Sequence, residues 1–227
     1  MLLVPFTLGT FSGTPSWLSL LLLTCWLAAY LTSYFTLRWV RTRGLRHRGL
    51  RYRNPAIGYG VVFSLSGSCL ALLEPWLALA ALSFVPFEAV AATLSLRGRE
   101  RSVAAGIASA TAASLMAPVA YWLADGADQS LAVALLVVTW LALTGSVLHV
   151  KSTIRERDNP RYRTASILFH ALALVVALLI DPLLVIPFGF LLVRSVAVPQ
   201  HGWRPAQIGA VEIVGSLLVV AASLIAV

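Results

Sequence analysis

Three ionisable side chains lie inside apolar stretches of this sequence, and they are the strongest candidates for chemistry. Glu88, His170 and Glu212 each lie seven to nine residues from a basic segment. At 1.5 Å per helical residue this is a depth of about 10–13 Å. A charge at such depth in a membrane costs about 2.5–3.5 kcal/mol unless it faces a partner or water. The three residues therefore predict one polar cavity that opens on the basic side of the membrane.

Two explanations of this layer stay open. A buried structural hydrogen bond, or a neutral protonated glutamate, would account for each residue singly. A proton relay would account for all three, because carboxylate–histidine chains are typical of proton pathways. His149 lies only two residues from Lys151, and we expect it at the membrane interface.

Catalytic residues and cofactors cannot be assigned from this sequence. Nucleophilic triads, phosphate-binding loops and dinucleotide fingerprints are absent from it. Histidines and carboxylates are too few and too scattered to predict a metal site.

Arginines form the second candidate site, for contact with an anion or with anionic lipid head groups. Bidentate geometry suits arginine to phosphate, but a lipid-facing anchor explains the charge with fewer assumptions. No recognition module accompanies the charge, so no nucleic-acid partner is expected. The arginines singled out are Arg51, Arg53, Arg155, Arg157 and Arg161.

The elements that position these residues must be membrane-spanning helices. Of the 227 residues 59% are hydrophobic and 11% charged, whereas a soluble domain is about a quarter charged. In lipid the backbone must bond within its own segment, which predicts an all-α bundle of about eight or nine spans. We expect 1–227 to form a single membrane-embedded domain. The predicted segments are 1–12, 17–37, 55–73, 76–96, 102–123, 131–149, 164–180, 183–198 and 206–226.

The basic residues define an orientation. All 17 Lys and Arg fall in four alternate segments, at 38–54, 97–101, 150–163 and 194–205. The positive-inside rule makes these segments cytoplasmic and places the C-terminus outside, in a bacterial inner membrane. The opening segment 1–12 is too short to span, and we expect it to be the second half of a first helix.

Small residues at spacing four predict two packing seams. This spacing keeps side chains near one helix face, where two backbones can approach closely. The residues are Ser102, Gly106, Ala110 and Ser114 in one span, and Gly60, Ser64 and Ser68 in another.

Several sequence blocks resemble the YwiC-like family of bacterial membrane proteins. They are VKSTIRERDNPRYRTASILFHALAL, RPAQIGAVEIV, LLVPFTLG, LTSYFTLRWV and RYRNPAIGYG. The resemblance implies an uncharacterised inner-membrane protein and brings no established activity. Family members carry a His-Gly-Ala-Trp segment before the first helix, which this chain lacks. The resemblance places near the family's polar positions Arg155, Glu156, Arg157, Asn159, Arg161, His170, Gln207 and Glu212.

The expected layout is also similar to that of UbiA-type prenyltransferases. Those enzymes carry Asp-rich motifs in the loops after the second and sixth helices, where they hold a pyrophosphate through magnesium. Here the first of these loops has no acidic residue and the second has only Glu156 and Asp158. The likeness is one of architecture and does not establish function.

Three hypotheses about function follow from the sequence. The first is a transporter or carrier with a cytoplasm-facing polar cavity. The second is an intramembrane enzyme that acts on a phosphate-bearing or lipid substrate, and the third is a non-catalytic accessory membrane protein. Beyond the bilayer and its anionic head groups no partner is predicted, and the oligomeric state stays open.

Reporter fusions test the orientation. Fusions after residues 45, 99, 157 and 200 should report the cytoplasm, and fusions near 74, 126 and 181 the outside, because basic residues are retained on the cytoplasmic side. An outside signal at 45 or 157 would reverse the orientation.

Overall fold

The computed structural model describes residues 2–42, 46–198 and 203–226, which form helices and no strand. The all-α prediction is therefore confirmed. Residues 45 and 200, two of the fusion points, lie outside the described residues. The helices are α1 (Leu3–Phe11), α2 (Trp17–Arg41), α3 (Arg46–Leu73), α4 (Trp76–Leu96), α5 (Val103–Ser114), α6 (Met116–Leu123), α7 (Gln129–Val150), α8 (Pro160–Ile180), α9 (Val185–Ala197) and α10 (Pro205–Ala226).

Seven helical segments in the described part of the chain are long and apolar enough to cross a membrane. They comprise α2, most of α3, α4, α5 with α6, α7 with the π-helical turn Lys151–Arg155, α8, and α10. The segment Pro182–Ala197, a 3₁₀ turn followed by α9, is a shorter apolar helix. The predicted multi-span bundle is confirmed.

The predicted span 102–123 is interrupted between α5 and α6. Pro118 lies in α6, and proline both lacks an N–H and clashes with the carbonyl four residues earlier. That residue is Ser114, at which α5 ends. The interruption therefore follows from the sequence.

The chain divides into two compact units, one of residues 1–13 and 106–227 and one of residues 14–105. We call them the first and the second unit. That residues 1–227 act as one membrane-embedded domain stays a prediction.

In the second unit α2 and α3 pack antiparallel. A Cβ added to Gly67 would lie 3.6 Å from Cys25 Sγ, and one added to Gly60 would lie 3.7 Å from Thr32 Cγ2. Near the same end, the Phe35 ring of α2 stacks on the Tyr59 ring of α3 with ring centroids 5.7 Å apart. The two glycine contacts are seven residues apart in each helix, which is close to two helical turns.

The predicted seam of Gly60, Ser64 and Ser68 is wrong. Ser64 and Ser68 are exposed, while the glycine that continues the contact with α2 is Gly67. Each step of four residues turns about 40° beyond a full circle, so the third member has rotated about 80° from the first.

The turn after α4 is tied to the end of α2. Arg41 Nη1 lies 3.2 Å from Glu100 Oε1, so two of the basic segments lie at the same end of this unit. A backbone hydrogen bond at Glu100, and then its hydrogen bond with Arg41, lower the pKa of this exposed carboxyl.

In the first unit α1 lies directly on α6. Gly9 makes this possible, because a Cβ there would overlap the Ala117 carbonyl. Leu8, one residue earlier, is fully buried. One hydrophobic core then draws on every helix of the unit from α6 to α10 as well as α1, including Ala117, Leu135, Ala173, Phe188 and Val219.

Side-chain caps begin α7, α8 and the 3₁₀ turn before α9. Asp128 Oδ1 accepts from the Ser130 N–H, and Asn159 Oδ1 accepts from the Arg161 N–H, while Asp181 caps the 3₁₀ turn. Each cap satisfies a backbone donor that the first turn leaves free. Several polar residues at the span ends therefore have a structural role.

The second predicted seam is confirmed at Gly106. A Cβ there would lie 2.6 Å from Val147 Cγ1 of α7, and Ala110 and Ser114 on the same face are buried. On the neighbouring face Trp140 of α7 donates through Nε1 to Thr111.

Gly106→Leu should therefore lower stability. The added side chain has no space against Val147, and overpacking of this kind typically costs about 1–3 kcal/mol. The measurement is the free energy of unfolding in detergent, with Gly209→Leu as the control, because a Cβ at Gly209 meets nothing within 4 Å. Equal stability of the two variants would contradict the seam.

Candidate functional site

Four charged or titratable side chains from four successive helices meet in the interior of the first unit. They are His149 of α7, His170 of α8, Arg194 of α9 and Glu212 of α10, each at most 7% exposed. Arg194 lies three residues before the end of α9, and Glu212 seven residues after the start of α10. These four residues are called the polar cluster below.

The polar cluster is organised around one ion pair. Arg194 Nη1 donates to Glu212 Oε1 at 2.5 Å, with both side chains buried. Burying each ion alone would cost several kcal/mol, and the pair offsets this cost only while both partners stay in place. The pair therefore fixes α9 and α10 to each other.

His170 lies on the other side of the guanidinium. Its Nδ1 is 2.7 Å from the Ser166 carbonyl, and its Nε2 is 3.2 Å from Arg194 Nη2. A carbonyl only accepts and a guanidinium only donates. The two contacts thus assign the neutral tautomer with its proton on Nδ1. Gly145 of α7 faces this ring so closely that a Cβ there would lie 3.0 Å from Nε2.

His149 is close to the ion pair without being hydrogen-bonded to it. Its Nε2 lies 3.9 Å from Glu212 Oε1, and its ring meets the His170 ring edge-on at 6.4 Å between centroids. Among the described residues, neither nitrogen of His149 has a hydrogen-bond partner, and neither does Arg194 Nε or Glu212 Oε2. The polar cluster thus keeps unused donor and acceptor capacity.

A small cavity adjoins the polar cluster one helical turn further along the helices. It is lined mainly by apolar side chains of α1, α7, α9 and α10, and by Ser146 and Ser216. Gly215 lines it too, and a Cβ there would lie 3.7 Å from Arg194 Nη1 and 2.8 Å from Leu191 Cδ2. One residue of the cavity wall therefore lies close to the guanidinium, while the cavity itself, at about 10 Å³, has room for about one water molecule.

Of the three layer residues predicted from sequence, the structure brings His170 and Glu212 together, through Arg194. Both lie in a closed cluster, so a shared cavity open to the cytoplasm stays a prediction. Glu88 lies on α4 of the second unit with an exposed side chain. Its place in a common cavity also stays a prediction.

The predicted anion-contact arginines lie at helix ends. Arg51 and Arg53 are exposed near the start of α3, and Arg161 is exposed in the first turn of α8. Arg157 is exposed and lies 3.9 Å from an oxygen of its neighbour Asp158, while Arg155 ends the π-helical turn. Their contact with lipid head groups stays a prediction.

Sequence reasoning missed Arg194 and assigned His149, which is buried, only a place at the membrane interface. Arg194 was grouped with the cytoplasmic segment 194–205, although it follows Pro187 and Leu191 on the buried face of α9 at helical spacing. His149 likewise continues the buried face of α7 after Ala142. The sequence signal that identifies both residues is a basic side chain at helical spacing from buried apolar side chains of the same helix.

Of the described side chains, no three His, Cys, Asp or Glu gather closely enough to hold a metal ion. A guanidinium that shares one carboxylate with a nearby imidazole can hold a negative charge and respond to the arrival of a proton.

The apolar helices and the buried polar cluster define a multi-span helical membrane protein. The family model described as "YwiC-like protein" matches residues 1–121, more than half of the chain. An uncharacterized protein of Haemophilus influenzae is 30% identical over 217 residues, which cover 93% of this chain and 88% of that protein. The chain belongs to the YwiC-like family. No solved structure matches it.

A double-mutant cycle tests the ion pair. Arg194→Met or Glu212→Leu alone should lower the free energy of unfolding by about 3–5 kcal/mol, because each leaves one buried charge unpaired. The double variant should recover most of this loss. Arg157→Met is the control, since an exposed pair contributes at most about 1 kcal/mol. Simple additivity of the two losses in detergent unfolding would show that the pair is not coupled.

Proposed function

We propose that this protein is a proton-coupled carrier in the bacterial inner membrane. Its basic loops face the cytoplasm, its C-terminus lies outside, and the polar cluster is the site at which the proton acts. The observation that carries the proposal is the burial of an arginine, a carboxylate and two imidazoles at one depth in an apolar bundle.

A purely structural role accounts poorly for this cluster. Buried ion pairs are weak evidence for stability, because apolar side chains of similar volume often replace them at no loss. Buried polar atoms without partners cost free energy and need an explanation in a native protein. Ionisable groups inside membrane spans mark solute or proton pathways by default. The nitrogens of His149 have no hydrogen-bond partner among the described residues, which favours a role in a solute or proton pathway over a structural role.

The proton acts on His149, which then competes with Arg194 for the Glu212 carboxylate. The groups that face its carboxylate are Arg194 on α9, His149 on α7 and, through Arg194, His170 on α8, whereas α1 contributes no titratable side chain. A proton on His149 turns Nε2 into a charged donor 3.9 Å from Glu212 Oε1. The carboxylate then has two cations to bind, and the hold of α9 on α10 weakens.

The charged ends of the helices support the orientation. Arg163 Nη2 donates to the Val196 carbonyl, so the start of α8 and the end of α9 lie at one end of the first unit. The positive-inside rule makes this end cytoplasmic. In this proposal the exposed arginines of the same end, Arg155, Arg157 and Arg161, face anionic head groups of the inner leaflet.

Alternating access of the cavity tests the carrier. In a Cys25→Ser, Cys69→Ser background, Ser146→Cys places a thiol on the cavity wall. A membrane-impermeant maleimide should label it from either face of oriented vesicles. The rate should differ severalfold between pH 5.5 and pH 7.5, and His149→Gln should remove that difference.

Ser114→Cys is the matched control, because Ser114 is also buried but lies on α5 and does not line the cavity. It should stay unlabelled at both pH values. If Ser146→Cys also stays unlabelled from both faces, the carrier proposal fails, and the intramembrane enzyme and the non-catalytic accessory protein remain.

A further inference from the structure

We propose that protons reach the polar cluster from the basic end of the first unit, where α8 begins and α9 ends, along the buried hydroxyls of Ser152, Thr153 and Ser166. Ser166 passes them to His149. The inference rests on the proposed function, in which a proton acts on His149, and it names the residues that deliver this proton. It draws on the register of α7 and α8, on the burial of the hydroxyls and on the apolar core beyond the polar cluster.

The register of α7 and α8 places Ser166 level with His149. The short connection from the π-helical turn to the start of α8 makes the two helices antiparallel neighbours. Gly145 of α7 lies against His170 of α8, since a Cβ there would be 3.0 Å from Nε2. A step of four residues along α7 leads from Gly145 to His149, and the same step back along α8 leads from His170 to Ser166. Ser166 also shares the face of α8 that carries His170.

Both groups at this level have unused hydrogen-bonding capacity. Ser166 is 1% exposed, and among the described residues neither its Oγ nor either nitrogen of His149 has a hydrogen-bond partner. An alanine in place of Ser166 would avoid the cost of this unpaired hydroxyl. The Ser166 carbonyl, by contrast, accepts from His170 Nδ1. Because a hydroxyl can donate and accept at once, the Ser166 side chain suits the transfer of a proton.

Ser152 and Thr153 continue the line of hydroxyls towards the basic end. They follow His149 by three and four residues, which places them near its face of the helix, and both are buried. Both donate to the His149 carbonyl, at 2.9 and 2.6 Å, and keep lone pairs that can accept. They lie in the π-helical turn, and such turns are frequent at functional sites. The next two residues, Ile154 and Arg155, are exposed, so water reaches the chain beside Thr153.

The opposite side of the polar cluster is less suited to a proton. The core beyond it is mainly apolar, with Leu135, Val138, Phe188 and Val219 among its members. The cavity on this side has room for about one water molecule, and its walls are mainly apolar. The basic end therefore offers the more polar route.

The transfer step is balanced. A hydronium ion at the basic end gives up a proton through the hydroxyls to Ser166 Oγ, whose own proton moves to a ring nitrogen of His149. Ser166 stays a neutral hydroxyl, and His149 becomes an imidazolium. The two groups are not bonded to each other in the structure, so transfer needs a rotation of one side chain. Of the groups around this ring, Glu212 of α10 stabilises the imidazolium and Arg194 of α9 opposes it, while His170 of α8 is neutral and α1 contributes no charge.

Proton exchange at His149 tests the inference. It can be measured by NMR of the protein with isotope-labelled histidine in lipid bilayers, with His149→Gln to assign the signal. Ser166→Ala and Thr153→Val should each slow the exchange of the His149 ring proton with water severalfold, because each removes one hydroxyl of the route. Ser166→Ala keeps the carbonyl that holds His170. The His170 signals should therefore stay as in the wild type, which separates a lost relay from a disturbed structure.

Ser223→Ala is the matched control. Ser223 of α10 is also buried, and its Oγ is also without a partner among the described residues, but it lies about three turns beyond Glu212 towards the opposite end. This variant should exchange as fast as the wild type. Slower exchange in Ser223→Ala, or exchange in Ser166→Ala as fast as in the wild type, would overturn the inference.

The two proposals fail separately. Unchanged exchange in Ser166→Ala, in a protein whose Ser146→Cys variant is labelled from both faces, overturns the route and leaves the carrier. Slower exchange in Ser166→Ala with Ser146→Cys unlabelled overturns the carrier and leaves a proton route to the polar cluster.

Discussion

The first unit depends on one constraint, which is that the charge of Arg194 must be neutralised inside an apolar bundle. Glu212 does this directly, and His170 accepts a second donor of the same guanidinium. Groups from α8, α9 and α10 therefore hold these three helices in one relative arrangement, and His149 of α7 packs beside them. Two glycines fit this arrangement, since a side chain at Gly145 or Gly215 would meet the His170 ring or Leu191.

The same residue types have other roles outside the spans. Arg41 with Glu100, and Arg157 with Asp158, form pairs that water can reach. Solvent screens such pairs and competes for their hydrogen bonds, so each contributes little to stability. In the apolar interior the attraction is much less screened, and the loss of one partner therefore costs more stability. Because the polar cluster is buried, substitutions there should lower stability more than substitutions in the exposed pairs.

Much of the fold could be predicted because hydrophobicity and charge act along the chain. The spans were predicted to within a few residues, apart from the break before Pro118 and the polar extensions of α2, α3 and α7. The depth of a residue along its helix can also be predicted from the sequence, and this depth identified His170 and Glu212 as candidates. The sequence does not predict which helices become neighbours. Arg194 was missed because a basic residue near a helix end satisfies the positive-inside rule whether it faces water or a buried glutamate.

The helix that carries Arg194 is short for its surroundings. Pro182–Ala197 combines a three-residue 3₁₀ turn with thirteen α-helical residues, a length of roughly 26 Å, whereas the hydrocarbon layer is about 30 Å thick. This hydrophobic mismatch is relieved when the adjacent leaflets thin around α9. Thinning brings head groups and their hydration water towards Arg194, which lies only one turn from the end of the helix. The thickness of the host bilayer therefore sets how far Arg194 lies from the aqueous surface.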